Sequence, residues 1–390
     1  MVGRIHPLKY KTTIVIMDYK RLGDYIREVN VRNRDLKVTK LVGLTIDKAF
    51  IPSVANVIGT DLSNYKVIRK EQFACSLMQV SRDGKMPVAM FEEDEAIMSP
   101  AYPMFEVVDK TVLMPQYLMM WFSRSEFDRE ASYYAVGGVR GSLTWEDFCN
   151  MKLPIPSITR QREIVSEYET LTNRIRLNNQ MIQYLEVTAQ ALYRKTFVDN
   201  IDKENLPEGW RIGSLTDIAT YLNGTACQKY ETKGQDYLPV LKIRELSQGR
   251  CDENSDHVDV SIPQDYIINT GDVIFSWSAT LFIDIWCGGK CALNQHLFKV
   301  TSPEFPKWFY FLWTQNHIAE WKRLISAKAT SMGHIKREDL EAAHVIIPSE
   351  KSMMELNKKM HPFFEMYILK KQENLKLTEL QSLLLAKMGE

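Results

Sequence analysis

Few residues in this chain stand at spacings that could carry catalysis. Cys287 and Cys291 form a C-x3-C pair within CGGKC, but no second tight pair and no nearby histidine cluster completes a zinc set. The six cysteines therefore read as ordinary reduced thiols, and no metal site is assigned. Glu92-Glu93-Asp94-Glu95 places four acids in a row without a histidine or lysine partner, which is the pattern of a solvated loop. Lone histidines such as His296 and His334 read as satisfied structural residues. There is no G-x-x-x-x-G-K-[ST] phosphate loop, no G-x-G-x-x-G opening a helix, no H-E-x-x-H and no G-x-S-x-G elbow. No N-P-P-Y or D-P-P-Y sequence occurs, and Gly137, Gly138 and Gly141 lack a strand-turn-helix setting. The expectation is a binding protein with no catalytic residue.

Charge and composition bound the class. The 390 residues are 45% hydrophobic, enough for more than one core and for two or three domains. Lysine plus arginine equals aspartate plus glutamate at 49 each, yet the distribution is uneven. Residues 1–90 hold 16 basic against 8 acidic residues, and residues 91–156 hold 5 against 11. A basic face on the first part suits a polyanion as well as it suits a salted surface. The start, MVGRIHPLKYKTT, lacks a signal-peptide layout, and no apolar run approaches the roughly 18 residues of a membrane span. A cytoplasmic protein without membrane contact is expected.

The elements that organise these residues are two helices. Ile164, Leu171, Ile175, Ile182, Leu185 and Leu192, with Tyr168 and Ala189, alternate spacings of four and three, a coiled-coil seam interrupted by Asn178. No proline or glycine occurs between Pro156 and Pro207, so the helix can run from about Thr159 to Phe197, roughly 58 Å. A shift of 192 positions lays Ile164 on Leu356, Tyr168 on Met360, Leu171 on Phe363, Ile175 on Tyr367, Leu185 on Leu377 and Leu192 on Leu384. It also carries Asn178 onto Lys370, Ile182 onto Asn374 and Pro156-Ser157 onto Pro348-Ser349. The match at one offset implies internal duplication.

Four segments follow: a first module (1–156), a first long helix and linker (157–205), a second module (206–348) and a second long helix (349–390). Strands are expected at Thr12–Met17, Val38–Ile46 and Phe73–Val80, and in the second module at Leu238–Ile243, Asp272–Ser276 and His296–Val300. Helical patterns cover Pro115–Glu130 and Trp308–Trp321. Each module closes on a strand, Lys152–Pro156 and Val345–Pro348. Because helix one joins the modules and helix two follows the second, pairing of the seams makes the helices antiparallel. The fold class expected is α+β: two similar mixed modules separated by a pair of long antiparallel coiled-coil helices, with an internal pseudo-two-fold. Pro362 lies inside the second heptad pattern and predicts a kink near His361 or a separate first turn.

The order of these parts resembles the specificity subunits of type I restriction-modification systems. The resemblance rests on LPIPSITRQREIV entering the first helix, PEGW opening the second module, GDVIFSWSAT at 271–280, ALNQHLFKV at 292–300 and KATSMGHIKREDLEAAHVIIP at 328–348. It covers essentially the whole chain. Two departures stand out: Ile158-Thr159-Arg160 replaces the acidic run that precedes the glutamine of helix one, here Gln161, and helix two keeps little of that motif at Glu350–Met353.

The resemblance implies a non-catalytic, sequence-specific subunit for double-stranded DNA, each module being a target recognition domain for one half of a split, asymmetric site. It implies two methyltransferase subunits and restriction/translocase subunits as partners, with S-adenosylmethionine and ATP/Mg on those partners and no cofactor here. A helix of roughly 58 Å caps the separation of the half-sites at about 17 base pairs, and spacings near roughly 34 to 36 Å fit better. The expected DNA contacts are Arg82, Lys85 and Arg140 in the first module. In the second they are Lys242 and Arg244, placed on a strand, and Lys328, Thr330, Ser331 and Lys336 before the closing strand. Gln161, Ile164, Leu171, Ile175, Asn178, Leu185, Leu192, Leu377 and Leu384 are expected to serve as spacer and docking residues. The alternative reading is a coiled-coil scaffold with two protein-binding modules.

Overall fold

A computed structural model describes residues 18–53, 59–78, 80–136, 142–199, 201–232, 235–327 and 334–389. The expected strand at Thr12–Met17 lies outside these residues, as do Arg140, Lys328, Thr330 and Ser331. The chain divides into two compact units, residues 1–173 with 378–390, and residues 174–377.

In the first unit the strands are β1 (Tyr19–Arg21), β2 (Ile26–Glu28), β3 (Val42–Leu44), β4 (Phe50–Pro52), β5 (Lys66–Arg69), β6 (Phe73–Cys75), β7 (Val88–Met90), β8 (Glu95–Met98), β9 (Met104–Val107) and β10 (Lys152–Pro154). Helices α1 (Val80–Asp83), α2 (Pro115–Phe122), α3 (Ser125–Val136) and α4 (Trp145–Asn150) complete it. Its central sheet has the order β2-β9-β6-β7, and β1 closes the module by pairing antiparallel with β10. The two strand expectations were too long: the ladder spans only Val42–Leu44 and Phe73–Cys75. The single helix expected over Pro115–Glu130 is two, because the Ser123 N–H and hydroxyl both bond the Met119 carbonyl and close α2.

The second unit repeats this plan. Its strands are β11 (Arg211–Ser214), β12 (Thr220–Asn223), β13 (Tyr237–Leu241), β14 (His257–Asp259), β15 (Ile267–Ile268), β16 (Val273–Ser276), β17 (Phe282–Ile285), β18 (Cys291–Leu293), β19 (Leu297–Thr301) and β20 (His344–Ile347). The central sheet, β12-β19-β16-β17, has the order of the first unit's sheet, and β11 pairs with β20 as β1 pairs with β10. Phe73 faces Phe105 across β6 and β9, and Phe275 faces Phe298 across β16 and β19. Such cross-strand aromatic pairs knit one face of a sheet to its core. Outside this shared sheet the units differ. The first has the two-stranded pairs β3-β4 and β5-β8, and the second a four-stranded sheet β14-β13-β18-β15 with a parallel β13·β18 pairing.

The long helices are α5 (Ile158–Phe197) and α10 (Glu350–Lys387); the shorter helices of the second unit are α6 (Leu215–Ile218), α7 (Ile243–Gln248), α8 (Lys307–Ala327) and α9 (Arg337–Ala342). Helix α5 takes the span that its heptads predict. Within the second unit Asn178 bonds Asn374, Leu185 shares a cavity with Phe363, Phe364 and Tyr367, and Leu192 lies beside Leu356 and Met360. Rising numbers on α5 thus meet falling numbers on α10, which is antiparallel pairing. The first unit shows the same sense, with the Gln381 amide donating to Thr172 Oγ1 at 2.7 Å and Leu171 beside Leu380 and Leu384. There the end of α10 docks on the module: Met388 is buried in the core that holds Tyr117 and Ile164, and Tyr19 donates to the Gly389 carbonyl at 2.9 Å.

Helix α10 is one element across Pro362, so its first turns are not separate. Pro362 itself is exposed while Met360 and Phe364 are buried, so the carbonyl that loses its partner sits on the side of the helix open to water.

Candidate nucleic-acid interface

The two modules present equivalent loop ends. In the first, the connection between β6 and β7 carries Leu77, α1, Gly84 and Lys85, and the Leu77 carbonyl accepts from the Leu143 N–H at 2.8 Å, just ahead of α4. In the second, the connection between β16 and β17 carries Trp277 to Leu281, and the Trp277 carbonyl accepts from the Ile335 N–H at 3.1 Å, just ahead of α9. The shift of 192 lays Leu143 on Ile335. Each module therefore brings a strand connection and the start of its last short helix together at one end of its central sheet.

Two of the expected first-module contacts lie there. Arg82 is in α1 with its guanidinium on Asp83 at 2.6 Å, and Lys85 stands 3.6 Å from Asp47. Both are solvent-exposed pairs, which hold their charges weakly, so a phosphate competes for them readily. The loop is anchored from below. Asp128 accepts from the Met86 N–H at 3.1 Å and from Lys48 at 2.7 Å, and Lys48 also bonds the Phe122 carbonyl at 2.6 Å. This ion pair is nearly buried, so removing either partner strands a charge.

In the second module Lys336 is exposed at the N-cap of α9. The corresponding cap of α4 is Thr144, whose hydroxyl accepts from the Asp147 N–H at 3.0 Å while Asp147 bonds back. In α9 only the return half survives, Lys336 N–H to Asp339 at 2.7 Å, which leaves the ammonium out of the cap.

Lys242 and Arg244 do not alternate on a strand. Strand β13 ends at Leu241, Lys242 is the N-cap of α7 and Arg244 lies within it. Glu245 causes the change by accepting from the Lys242 N–H at 3.2 Å. The Lys242 ammonium pairs with Asp256. Arg244 reaches Glu245, both oxygens of Asp252 and the Ser255 hydroxyl, and these carboxylates, Asp252 first, push its pKa further up. Glu245 is 1% exposed, so Arg244 neutralises a buried acid and is committed to the fold.

Residues outside the expected DNA contacts complete the second end. The Trp277 indole donates to Asn223 Oδ1 at 3.1 Å, and its ring lies 6.1 Å from that of His296 and 5.7 Å from that of His334. Ser278 Oγ lies 3.2 Å from His296 Nδ1, and the His296 N–H bonds Asn294 Oδ1 at 3.3 Å. Asn294 is placed by Gly224: a Cβ there would sit 2.1 Å from the Asn294 carbonyl oxygen, so only glycine lets the strands approach. Asn223, His296 and His334 are exposed and Trp277 half-buried, so the two histidines stand at the surface of the module.

The spacer residues divide. Ile164 and Asn178 are buried, and Leu171, Ile175, Leu185, Leu192, Leu377 and Leu384 are half-buried on the inner side of the helix pair. Gln161 is a correction: it is fully buried, its carbonyl accepts from the Met114 N–H at 2.9 Å, and its amide donates to the Val112 and Pro156 carbonyls at 2.8 and 2.9 Å. With donors and acceptor taken inside the module, it joins α5 to the loop ahead of α2 and offers nothing to a partner. The apolar residues open to solvent on α5 are instead Leu177, Met181, Tyr184 and Val187. No helix of the described residues is long and apolar enough to cross a membrane.

Two alike sheet modules, each with exposed polar side chains at one end of its central sheet and followed by a long helix, make up the described residues. Residues 207–379 match the family model of the type I restriction modification DNA specificity domain. The type I restriction enzyme MjaIX specificity subunit of Methanocaldococcus jannaschii is 22% identical over 303 residues, covering 72% of this chain and 70% of the relative. The type I restriction-modification S subunit from M. genitalium is 10% identical and superposes over 96% of this chain and 97% of its own with a TM-score of 0.56, which shows a shared fold. An HsdS subunit from Thermoanaerobacter tengcongensis aligns over 95% and 96% with a TM-score of 0.35 and 17% identity. Over the stretches matched, the chain is similar to type I specificity subunits, and its second module is similar to the DNA specificity domain of that family.

Proposed function

We propose that this chain binds double-stranded DNA at a split, asymmetric site, each module reading one half, and directs methyltransferase and restriction subunits to it. The observation that carries this reading is the pairing of one shared sheet plan, β2-β9-β6-β7 and β12-β19-β16-β17, with unlike outer sheets and with different side chains at equivalent loop ends. A common scaffold that presents different side chains recognises two different half-sites. The exposed row Leu177, Met181, Tyr184 and Val187 on α5 supports docking of the two methyltransferase subunits, since aromatic and methionine side chains are favoured at such contacts. S-adenosylmethionine and ATP/Mg belong to the partners, and the assembly is cytoplasmic.

Co-expression with a methyltransferase gene found beside it, followed by mapping of adenine methylation, tests the proposal. One split asymmetric motif is expected, and replacing residues 1–156 with another module changes one half alone. Absence of a split motif, or a motif indifferent to the swap, overturns it.

A further inference from the structure

The connection between β16 and β17 is more constrained than a solvated turn needs to be. Ala279 has a φ of 57°, a conformation that costs a residue with a Cβ of order 1 kcal/mol and persists only where the surroundings enforce it. They do so through Trp277, tied to Asn223 by its indole and to Ile335 by its carbonyl, and through Ser276, whose hydroxyl donates to the Ser278 carbonyl at 3.4 Å. The effect is to hold Ser278, 3% exposed, under an exposed His296.

The Ser278 hydroxyl hydrogen needs an acceptor, and the partner described for it is His296 Nδ1 at 3.2 Å. In a neutral imidazole one nitrogen accepts and the other carries the proton. An Nδ1 that accepts from Ser278 therefore leaves Nε2 as an N–H donor on the exposed side of the ring. Trp277, 6.1 Å away, walls one side of the imidazole, and the Asn294 contact fixes its backbone. A donor held in one direction is needless for gripping a phosphate, which any cation such as Lys336 can do. It is what reading a base edge requires.

We propose that His296 is a specificity-determining residue of the second module, donating from Nε2 to an acceptor on a base edge in the major groove (N7 or O6 of guanine, N7 of adenine or O4 of thymine), and that Ser278 is its positioning residue. The inference rests on the DNA-recognition reading above and assigns the group that does the reading.

The complex with the methyltransferase is assayed by competition binding, using a duplex that carries the wild-type motif found by methylation mapping and its single-base variants. His296→Ala is expected to relax one position of the second half-site about tenfold and to leave the first half-site unchanged. Ser278→Ala is expected to relax the same position by less. A His296→Ala complex that keeps full discrimination at every position overturns the inference, and so does one that loses affinity equally for all variants, which marks a phosphate contact. Should His296→Ala fail to fold, His296→Gln, which keeps a donor but not its direction, and Ser278→Ala carry the test, and unchanged discrimination in both overturns it. A wild-type chain that directs no split motif removes the DNA-recognition reading itself, and this assignment with it.

Discussion

Asn178 on α5 donates its side-chain amide to Asn374 Oδ1 on α10 at 2.9 Å, and Asn374 donates in turn to Asn179 at 2.7 Å. Asn178 is 3% exposed, a polar residue in a seam whose other positions on α5 are apolar or aromatic. Beside it Glu373 accepts from Arg174 and from Lys370, which hold its carboxyl down at about 2. A buried asparagine pair lowers stability relative to an apolar pair and penalises every register in which the two amides do not meet.

Replacing one member of that pair makes the penalty visible. Asn374→Leu leaves the Asn178 amide buried without this partner and is expected to cost about 1–3 kcal/mol in urea unfolding. The double variant with leucine at both positions is expected to recover that loss, which a double-mutant cycle measures directly.

Gln161→Leu is expected to destabilise the protein by about 1–3 kcal/mol, because the Met114 N–H and the carbonyls of Val112 and Pro156 lose their partner inside the core. The folded fraction should retain methyltransferase binding in a pull-down, since the residue faces inward. A variant of normal stability that loses the methyltransferase would assign Gln161 to docking instead.

His317 supplies a pH dependence. Burial holds its imidazole below the ordinary range of about 6.5, against the opposing effects of its bond to the His344 carbonyl and of Glu320 at 3.4 Å. As pH falls, the unfolded chain protonates first, so this contribution to stability is complete above about pH 6.5 and is lost on acidification below it. Urea midpoints at pH 7.5 and 5.5 should therefore fall further in the wild type than in His317→Gln, which keeps a donor and cannot titrate.

What the sequence discloses and what it hides have separate physical causes. The heptads of α5 carry a long-range period, so Ile158–Phe197 falls within a residue of its expected span. The duplication is legible for the same reason, and the sheet order of the two units bears it out. Short-range features are harder to read. Lys242 to Arg244 alternate like a strand until the Glu245 carboxylate starts a helix, and the signal for that was the acid three residues beyond the cap. The second loop end was invisible because Asn223, Trp277 and His296 come from three separate segments joined by sheet pairing, as β12 pairs with β19 and β19 with β16.

The outer face of α5 makes a further prediction. Met181→Glu and Tyr184→Asp each put a charge into the row Leu177, Met181, Tyr184 and Val187, which is exposed and so tolerates charge within about 0.5 kcal/mol of wild-type stability. Co-purification of the methyltransferase should be lost in both variants while the melting temperature stays unchanged. Retention of the partner in both would place docking elsewhere.

If the chain reads the split site proposed above, the helices set its gap. Each heptad adds about 10 Å of helix, close to the rise of three base pairs. Inserting one heptad in α5 and one in α10 keeps every a and d position facing its partner, because the seam repeats every seven residues. The Asn178–Asn374 pair resists insertion in one helix alone, since that would move one amide away from the other. The double insertion should lengthen the unread gap by about three base pairs and leave both half-sites as they were, and the double deletion should shorten it equally, both read from adenine methylation maps. Half-sites that change with helix length would show that α5 and α10 themselves read sequence, and a gap that does not change would remove their role as spacer.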